Sequence, residues 1–353
     1  MNRAINPDMI SMARESRMLT QTELARRLSL PQGQLSKIES GVLPVPDDLL
    51  SRIAQSLEYP EGLFSLSDKT YGLGPSVFFH RKRQSLSPRQ LKYIHAQVNF
   101  HCIRVAKLLE HGTIETRIQH LDVEEYEGDV EEIARAVRAS WLLAPGPIHS
   151  VIKAIESNGG IVVRMNFDTH LLDATSLWPP GLPPMFFVNE QAPTDRLRFT
   201  LSHELAHIIM HRLMRPDIKA METEADRFAA EFLMPAKEIK ASLTVVSLPK
   251  LAALKPYWKT SMGAMIEHAY RLKKISARKR QLLWTQMSCA GYRTKEPIEL
   301  DSTIETPTLL QQIITAYRQQ LQYSYGELGK AVGLYEREFR ALYIDPKPKL
   351  SVI

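Results

Sequence analysis

Residues 198–212 read RFTLSHELAHIIMHR. The stretch is apolar enough to be buried, yet it carries His203, Glu204, His207 and His211. Burying that many polar groups without partners costs free energy, so the segment needs something to bind them. His203-Glu204-x-x-His207 suggests what. On a helix, residues i and i+4 share a face about one turn apart. Both imidazoles can then reach one Zn2+ ion, with Glu204 beside a water that the metal acidifies. A third ligand is on hand further along, in METEADRFAAEFLMP. Glu222 and Asp226 are an i, i+4 pair there, so Glu222 could ligate while Asp226 holds a histidine N–H from behind. Glu224 points elsewhere on that helix and is the second choice of ligand. His211, one turn past His207, is read as a packed or hydrogen-bonding residue. His80, His95, His101, His111, His120, His149, His170 and His268 are read as ordinary histidines.

These groups need two helices laid together, expected at about 194–213 and 218–233, the second ended by Pro235. Before them, helical patterns at 129–142 and 147–157 lead to NGG, which breaks the chain. IVVRMNF, LLDATSLW and MFFVN follow as strands. MFFVN fits either an edge strand that could hold a peptide by strand addition or an interior strand. More helices are expected over 246–288. The result is an α+β domain at 119–297.

The rest of the chain is helical in pattern. Thr20 with Glu23 forms a capping box, so a helix starts near Gln21 with Leu24, Ala25 and Leu28 on its inner face. Pro31 suits the first position of the next helix, Leu35 and Ile38 face inward, and Gly41 ends it. Asp47 is a candidate cap for a further helix. Residues 67–118 read as a basic linker, with the FFHRKR cluster, and a long amphipathic helix at 88–110. Residues 298–353 form a helical C-terminal region, with Ser324 and Glu327 as another capping box. That region reads as a docking or dimerisation bundle.

The bulk numbers narrow the class. The chain has 353 residues, 44% hydrophobic and 24% charged, which is ordinary for a globular protein of more than one domain. No apolar run reaches the roughly 18 residues of a membrane span, and no secretory signal is read at the N-terminus. The two cysteines, Cys102 and Cys289, are far apart, which excludes a disulfide framework and fits a reducing cytoplasm. The formal charge of +6 favours an acidic partner such as nucleic acid.

RFTLSHELAHIIMH followed by ETEADRFAAEFLMP resembles the ImmA/IrrE family of bacterial metallopeptidases. So do MFFVN, PGPIHSVIKAIESNGGIVV and GYRTKEP, so that the likeness spans about 130–297. It implies a zincin-like fold, with His203, His207 and Glu222 as Zn2+ ligands and Glu204 as the base. It also implies proteolysis of a DNA-binding repressor, relieving repression under stress or during induction of a mobile element. For the hydrolysis, Tyr257, Tyr270, Tyr292, His268 and Arg293 are candidates for a second stabiliser of the oxyanion.

LTQTELARRLSLPQGQLSKIESG resembles the helix-turn-helix of XRE (Cro/C1-type) repressors; the likeness covers residues 6 to about 64, in a domain set at 1–66. The resemblance places Gln32, Gly33, Ser36 and Lys37 at base-reading or groove-facing positions of the major groove, and Gln21 at a phosphate. Gln32 can pair bidentately with adenine. Gly33 departs from the polar residue usual there. The expected fold is mainly α, with an N-terminal all-α helix-turn-helix domain, a small α+β zincin-like domain and a helical C-terminal region. The expected protein is a homodimer on a double-stranded operator that cleaves a repressor or toxin protein partner, or itself. The alternative is an antitoxin-like or ligand-sensing regulator whose metallopeptidase-like domain binds a partner without cutting it.

Overall fold

The structure, a computed structural model, describes residues 5–67, 71, 86–192, 194–211, 217–293, 296–297, 300 and 304–345. The FFHRKR cluster lies outside the described residues. The first helices are α1 (Pro7–Glu15), α2 (Gln21–Arg27), α3 (Gln32–Glu39), α4 (Asp47–Leu57), α5 (Pro88–Leu108), α6 (Val130–Ser140) and α7 (Val151–Ser157). Three strands follow, β1 (Ile161–Met165), β2 (Ala174–Leu177) and β3 (Met185–Asn189). Next come α8 (Thr194–Met210), α9 (Ile218–Leu233), α10 (Ala236–Ile239), α11 (Leu248–Trp258), α12 (Met262–Arg271) and α13 (Ala277–Cys289). The last are α14 (Leu309–Gln320), α15 (Tyr325–Ala331) and α16 (Glu336–Tyr343). The chain is mainly helical with one small sheet, as its patterning implies.

Local chemistry sets the helix ends. The Thr20 hydroxyl accepts from the Glu23 N–H at 3.2 Å, and the Thr20 N–H donates back to the Glu23 carboxylate at 2.6 Å. This capping box starts α2. Ser324 and Glu327 start α15 in the same way. Gly41 ends α3 at φ +72°, a left-handed conformation in which glycine has no steric penalty. Two caps differ from expectation. Pro31 stands one place earlier, as the extended residue before α3, and Pro46 rather than Asp47 precedes α4. Asp47 lies in the first turn instead, where its charge complements the helix dipole.

The chain divides into two compact units. The first is built from α1–α5 and α14–α16. Leu24, Leu35, Ile38 and Phe64 share its core with Phe100 and Ile103 of α5. Ile314, Leu328 and Phe339 of the C-terminal helices join the same core. The long helix and the C-terminal region, set apart in the sequence as 67–118 and 298–353, are thus packed with α1–α4. Short helices cannot bury an apolar stripe alone, and they gain stability by sharing a core. A buried ion pair crosses this unit: Arg14 Nε donates to Glu39 Oε1 at 2.7 Å and Arg14 Nη2 to Glu39 Oε2 at 2.9 Å.

The second unit holds the sheet and α6–α13. Gly159, at φ +82°, turns the chain into β1, and a Cβ there would collide with the Glu115 carbonyl. The strand order is β1-β3-β2, with β1 parallel and β2 antiparallel to β3. Met185 therefore faces Ile161 on one side and Leu177 on the other. MFFVN is the central strand and all five of its residues are buried. Of the two options its sequence left open, the edge strand is excluded. Among the described residues β2 is an outer strand of the sheet, and it packs against α8.

Candidate metal centre

Helix α8 is buried nearly all round, with Leu197, Leu201, Leu205, Ile208 and Ile209 in the core. Arg198, Ser202, Glu204, His207 and His211 are buried on the same helix. Buried polar groups need hydrogen-bond partners, and the neighbouring elements supply them. Ser202 donates to the Arg198 carbonyl at 2.9 Å. Ser176, on β2, donates its hydroxyl to Glu204 Oε2 at 2.7 Å. Arg198 donates to the Glu305 carboxylate, which also accepts from the Ser150 hydroxyl at 2.8 Å and the Ile152 N–H at 2.9 Å.

Helix α9 packs against α8. Asp217 caps it by accepting from the Ala220 N–H at 3.0 Å. Ala225, Phe228, Ala229 and Phe232 bury its inner face. Truncating a buried phenylalanine of this kind costs about 3–5 kcal/mol, so the register of α9 on α8 is firmly set. That register brings Glu222 to the two histidines. Glu222 Oε1 lies 3.2 Å from His207 Nε2 and 3.6 Å from His203 Nε2, and the two Nε2 atoms are 3.0 Å apart. Behind them, His203 Nδ1 meets Asp226 Oδ1 at 3.0 Å. His207 Nδ1 meets His211 Nδ1 at 2.8 Å, and His211 Nε2 meets Glu224 Oε2 at 2.8 Å.

Burial disfavours charge on all three converging residues, and their partners decide the outcome. Burial alone would lower the His203 imidazole, but its bonds with Asp226 and Glu222 raise it to about 10. Burial pushes His207 down to about 3, despite Glu222 and with help from the cationic His203. Burial would raise Glu222, yet His203 first and then His207, both beside its carboxylate, hold it well below the usual carboxylate range. Without a metal the balance therefore favours an imidazolium at His203, a neutral His207 and an ionised Glu222.

The oxyanion candidates are spread over other elements. His268 Nε2 meets the Met234 carbonyl at 2.9 Å, and burial lowers this imidazole to about 4. Tyr257 stacks edge-on against Trp258, Tyr270 lies under Arg280, and Arg293 lies over Trp284. Tyr292 packs on the core.

In the first unit, α3 exposes Gln32, Gly33 and Lys37, while Ser36 is half-buried. Gln34, on the same turn and not singled out in the sequence, is exposed as well. Gln32 Nε2 donates to Gln21 Oε1 at 2.9 Å, and Gln21 Nε2 donates to Glu39 Oε2 at 2.8 Å. The start of α3 is thereby tied to the start of α2. Nothing lies within 4 Å of where a Gly33 Cβ would stand, so this position is open ground on the helix surface.

Comparison with known families fits both sites. Residues 156–270 match the peptidase family described as IrrE N-terminal-like domain, and residues 10–64 match the helix-turn-helix. The chain carries an IrrE-like domain behind a helix-turn-helix. No curated protein matches it significantly. The helix-turn-helix supports DNA binding, and the IrrE-like domain is metallopeptidase-like.

Within the IrrE-like domain, His203, His207 and Glu222 form a possible metal site, each offering one ligand atom and all within 4.8 Å. Two imidazole nitrogens and a carboxylate oxygen suit a divalent cation such as Zn2+. Ligands at about 2.1 Å around a tetrahedral Zn2+ stand roughly 3.4 Å from one another. The separations of 3.0, 3.2 and 3.6 Å bracket that value.

Ser176, Arg198 with Glu305, and the contact of His211 with Glu224 were not found from the sequence. Arg198 gave a signal: a cation inside an apolar helix needs a buried acid somewhere.

Proposed function

We propose that the chain is a DNA-binding transcriptional regulator whose IrrE-like domain is a Zn2+-dependent endopeptidase. It cuts one peptide bond in a repressor-type protein, or in itself, and so relieves repression. The observation that carries this reading is the convergence of His203 Nε2, His207 Nε2 and Glu222 Oε1, with Glu204 on the same helix. Zn2+, when bound, supplies charge that acidifies water and polarises a peptide carbonyl. The chain's own residues do the rest. Glu204 takes the proton from the attacking water. Ser176 fixes the plane of that carboxylate by holding Oε2. Asp226 orients His203. Gln32, Gly33, Ser36 and Lys37 face an operator and Gln21 a phosphate, with a homodimer spanning paired half-sites.

A second reading, a sensing or antitoxin-like regulator that binds its partner without cutting, has one observation in its favour. Glu204 has no exposed surface, as a site closed to substrate would require. The experiment that decides is incubation of the Zn2+-loaded protein with candidate repressors encoded beside it, and with Glu204→Gln as control. Cleavage lost in the variant supports the peptidase. No cleavage of any partner, together with operator binding that ignores Zn2+, supports the regulator.

A further inference from the structure

We propose that Glu224 and His211 are a positioning pair that fixes which nitrogen of His207 carries its proton. The inference rests on the metal reading above.

A neutral imidazole carries its proton on one nitrogen and a lone pair on the other. His207 Nε2 is the atom that faces His203 Nε2 at 3.0 Å and Glu222 Oε1 at 3.2 Å. For Nε2 to offer a lone pair to a cation, the proton must be on Nδ1. His207 Nδ1–H then donates to His211 Nδ1 across 2.8 Å. That bond requires His211 Nδ1 to be an acceptor, which leaves the His211 proton on Nε2. His211 Nε2–H in turn donates to Glu224 Oε2 across 2.8 Å. The three groups thus form one chain with a single consistent direction, ending on a carboxylate that can only accept.

The reverse direction is the alternative. A donor at position 224 would make His211 Nε2 an acceptor and put the His211 proton on Nδ1. His207 would then accept at Nδ1 and carry its proton on Nε2, aimed at Glu222. A cation could not bind that form. The negative charge of Glu224 selects the first direction. Both imidazoles are buried, His207 at 2% and His211 at 1% exposure, so water is a poor substitute partner for either ring. His203 has its own support in Asp226, and the two supports act on different ligands.

The test uses the full chain and titrates Zn2+ against a chromophoric chelator. Glu224→Gln keeps the shape but can donate from its amide, so it populates both directions. It is expected to bind Zn2+ about 10- to 100-fold more weakly, the usual cost of losing an outer-shell partner. His211→Ala is expected to lose a comparable factor. The double variant should be no weaker than His211→Ala, because Glu224 acts through His211. Asp226→Asn combined with Glu224→Gln should multiply the two losses. Long-range nitrogen–proton NMR of the metal-free protein should show the Nδ1–H form of His207 in the wild type and a mixture in Glu224→Gln. A merely structural contact would move neither the tautomer nor the multiplication rule. Glu224→Gln that binds Zn2+ as the wild type does, or losses that multiply between His211 and Glu224, would overturn the proposal. Wild-type protein that binds no Zn2+ would overturn the metal reading, and the positioning pair with it.

Discussion

Glu305 offers the sharpest test of the packing around α8. Its carboxylate receives the Arg198 guanidinium, the Ser150 hydroxyl and the Ile152 N–H. The side chains of Arg198 and Glu305 are only 2% and 8% exposed. Burial lowers the guanidinium pKa, and Glu305 opposes the shift. In Glu305→Ala that cation keeps the carbonyls of Ile148 and His149 but loses the carboxylate it is paired with. Stranding one member of a buried pair costs about 3–5 kcal/mol. At roughly 2–4 °C per kcal/mol for a domain of this size, the transition of the IrrE-like unit should fall by about 6–20 °C. The unit containing the helix-turn-helix should keep its own transition. Hydrogen exchange resolved by segment is the suitable assay, since a single unfolding free energy is ill-defined for a two-unit chain. Protection should drop in α7 and α8 and hold in α2 and α3. Arg198→Met with Glu305→Gln removes the stranded charge and leaves an acceptor for Ser150, so it should lose less than Glu305→Ala alone. A loss below about 1 kcal/mol in Glu305→Ala, or a double variant worse than the single, would refute this account of the pair.

Further outcomes follow from the two sites. His203 is raised to about 10 and His207 lowered to about 3, so Zn2+ must displace one proton, from His203. Affinity should therefore rise about tenfold per unit between pH 6 and 7; a flat competition titration over that window contradicts the assignment. Lys37, taken as a groove-facing cation and not a base reader, should on change to Ala weaken binding to all duplexes alike and lower the salt slope by about one, whereas Gln32→Ala should cost about 1–3 kcal/mol on the preferred operator alone. Anisotropy titrations at several salt concentrations separate the two, and equal effects on every sequence would remove Gln32 from base reading. Thr20→Ala should destabilise the helix-turn-helix by about 1 kcal/mol through loss of the cap, measured by hydrogen exchange in α2 and α3; unchanged protection there would mean the cap contributes nothing.

What the sequence made legible was local. Capping boxes at Thr20 and Ser324 are readable because both partners lie within one turn. The i, i+4 spacing of His203 and His207 puts them on one face by helix geometry alone, and Glu222 with Asp226 by the same rule. The central place of β3 was not readable, because strand order depends on how connections cross, not on the alternation within any strand. Long-range pairs were hidden too. Ser176 meets Glu204, Arg14 meets Glu39 and Arg198 meets Glu305 across loops that no periodicity records. Glu224 lies off the ligand face of α9, and its spacing gives no hint of its partner, His211, one turn further along α8.

The core of the first unit draws on both sides of the inserted IrrE-like unit, with Leu63 packed against Gly333 and Arg17 facing Glu338. During synthesis those contacts cannot close until the peptidase-like portion has left the ribosome. The helix-turn-helix unit would then mature late, after the IrrE-like half has folded, and a chain cut short after Pro307 would uncover Leu63 where Gly333 now lies, leaving an apolar, adhesive spot.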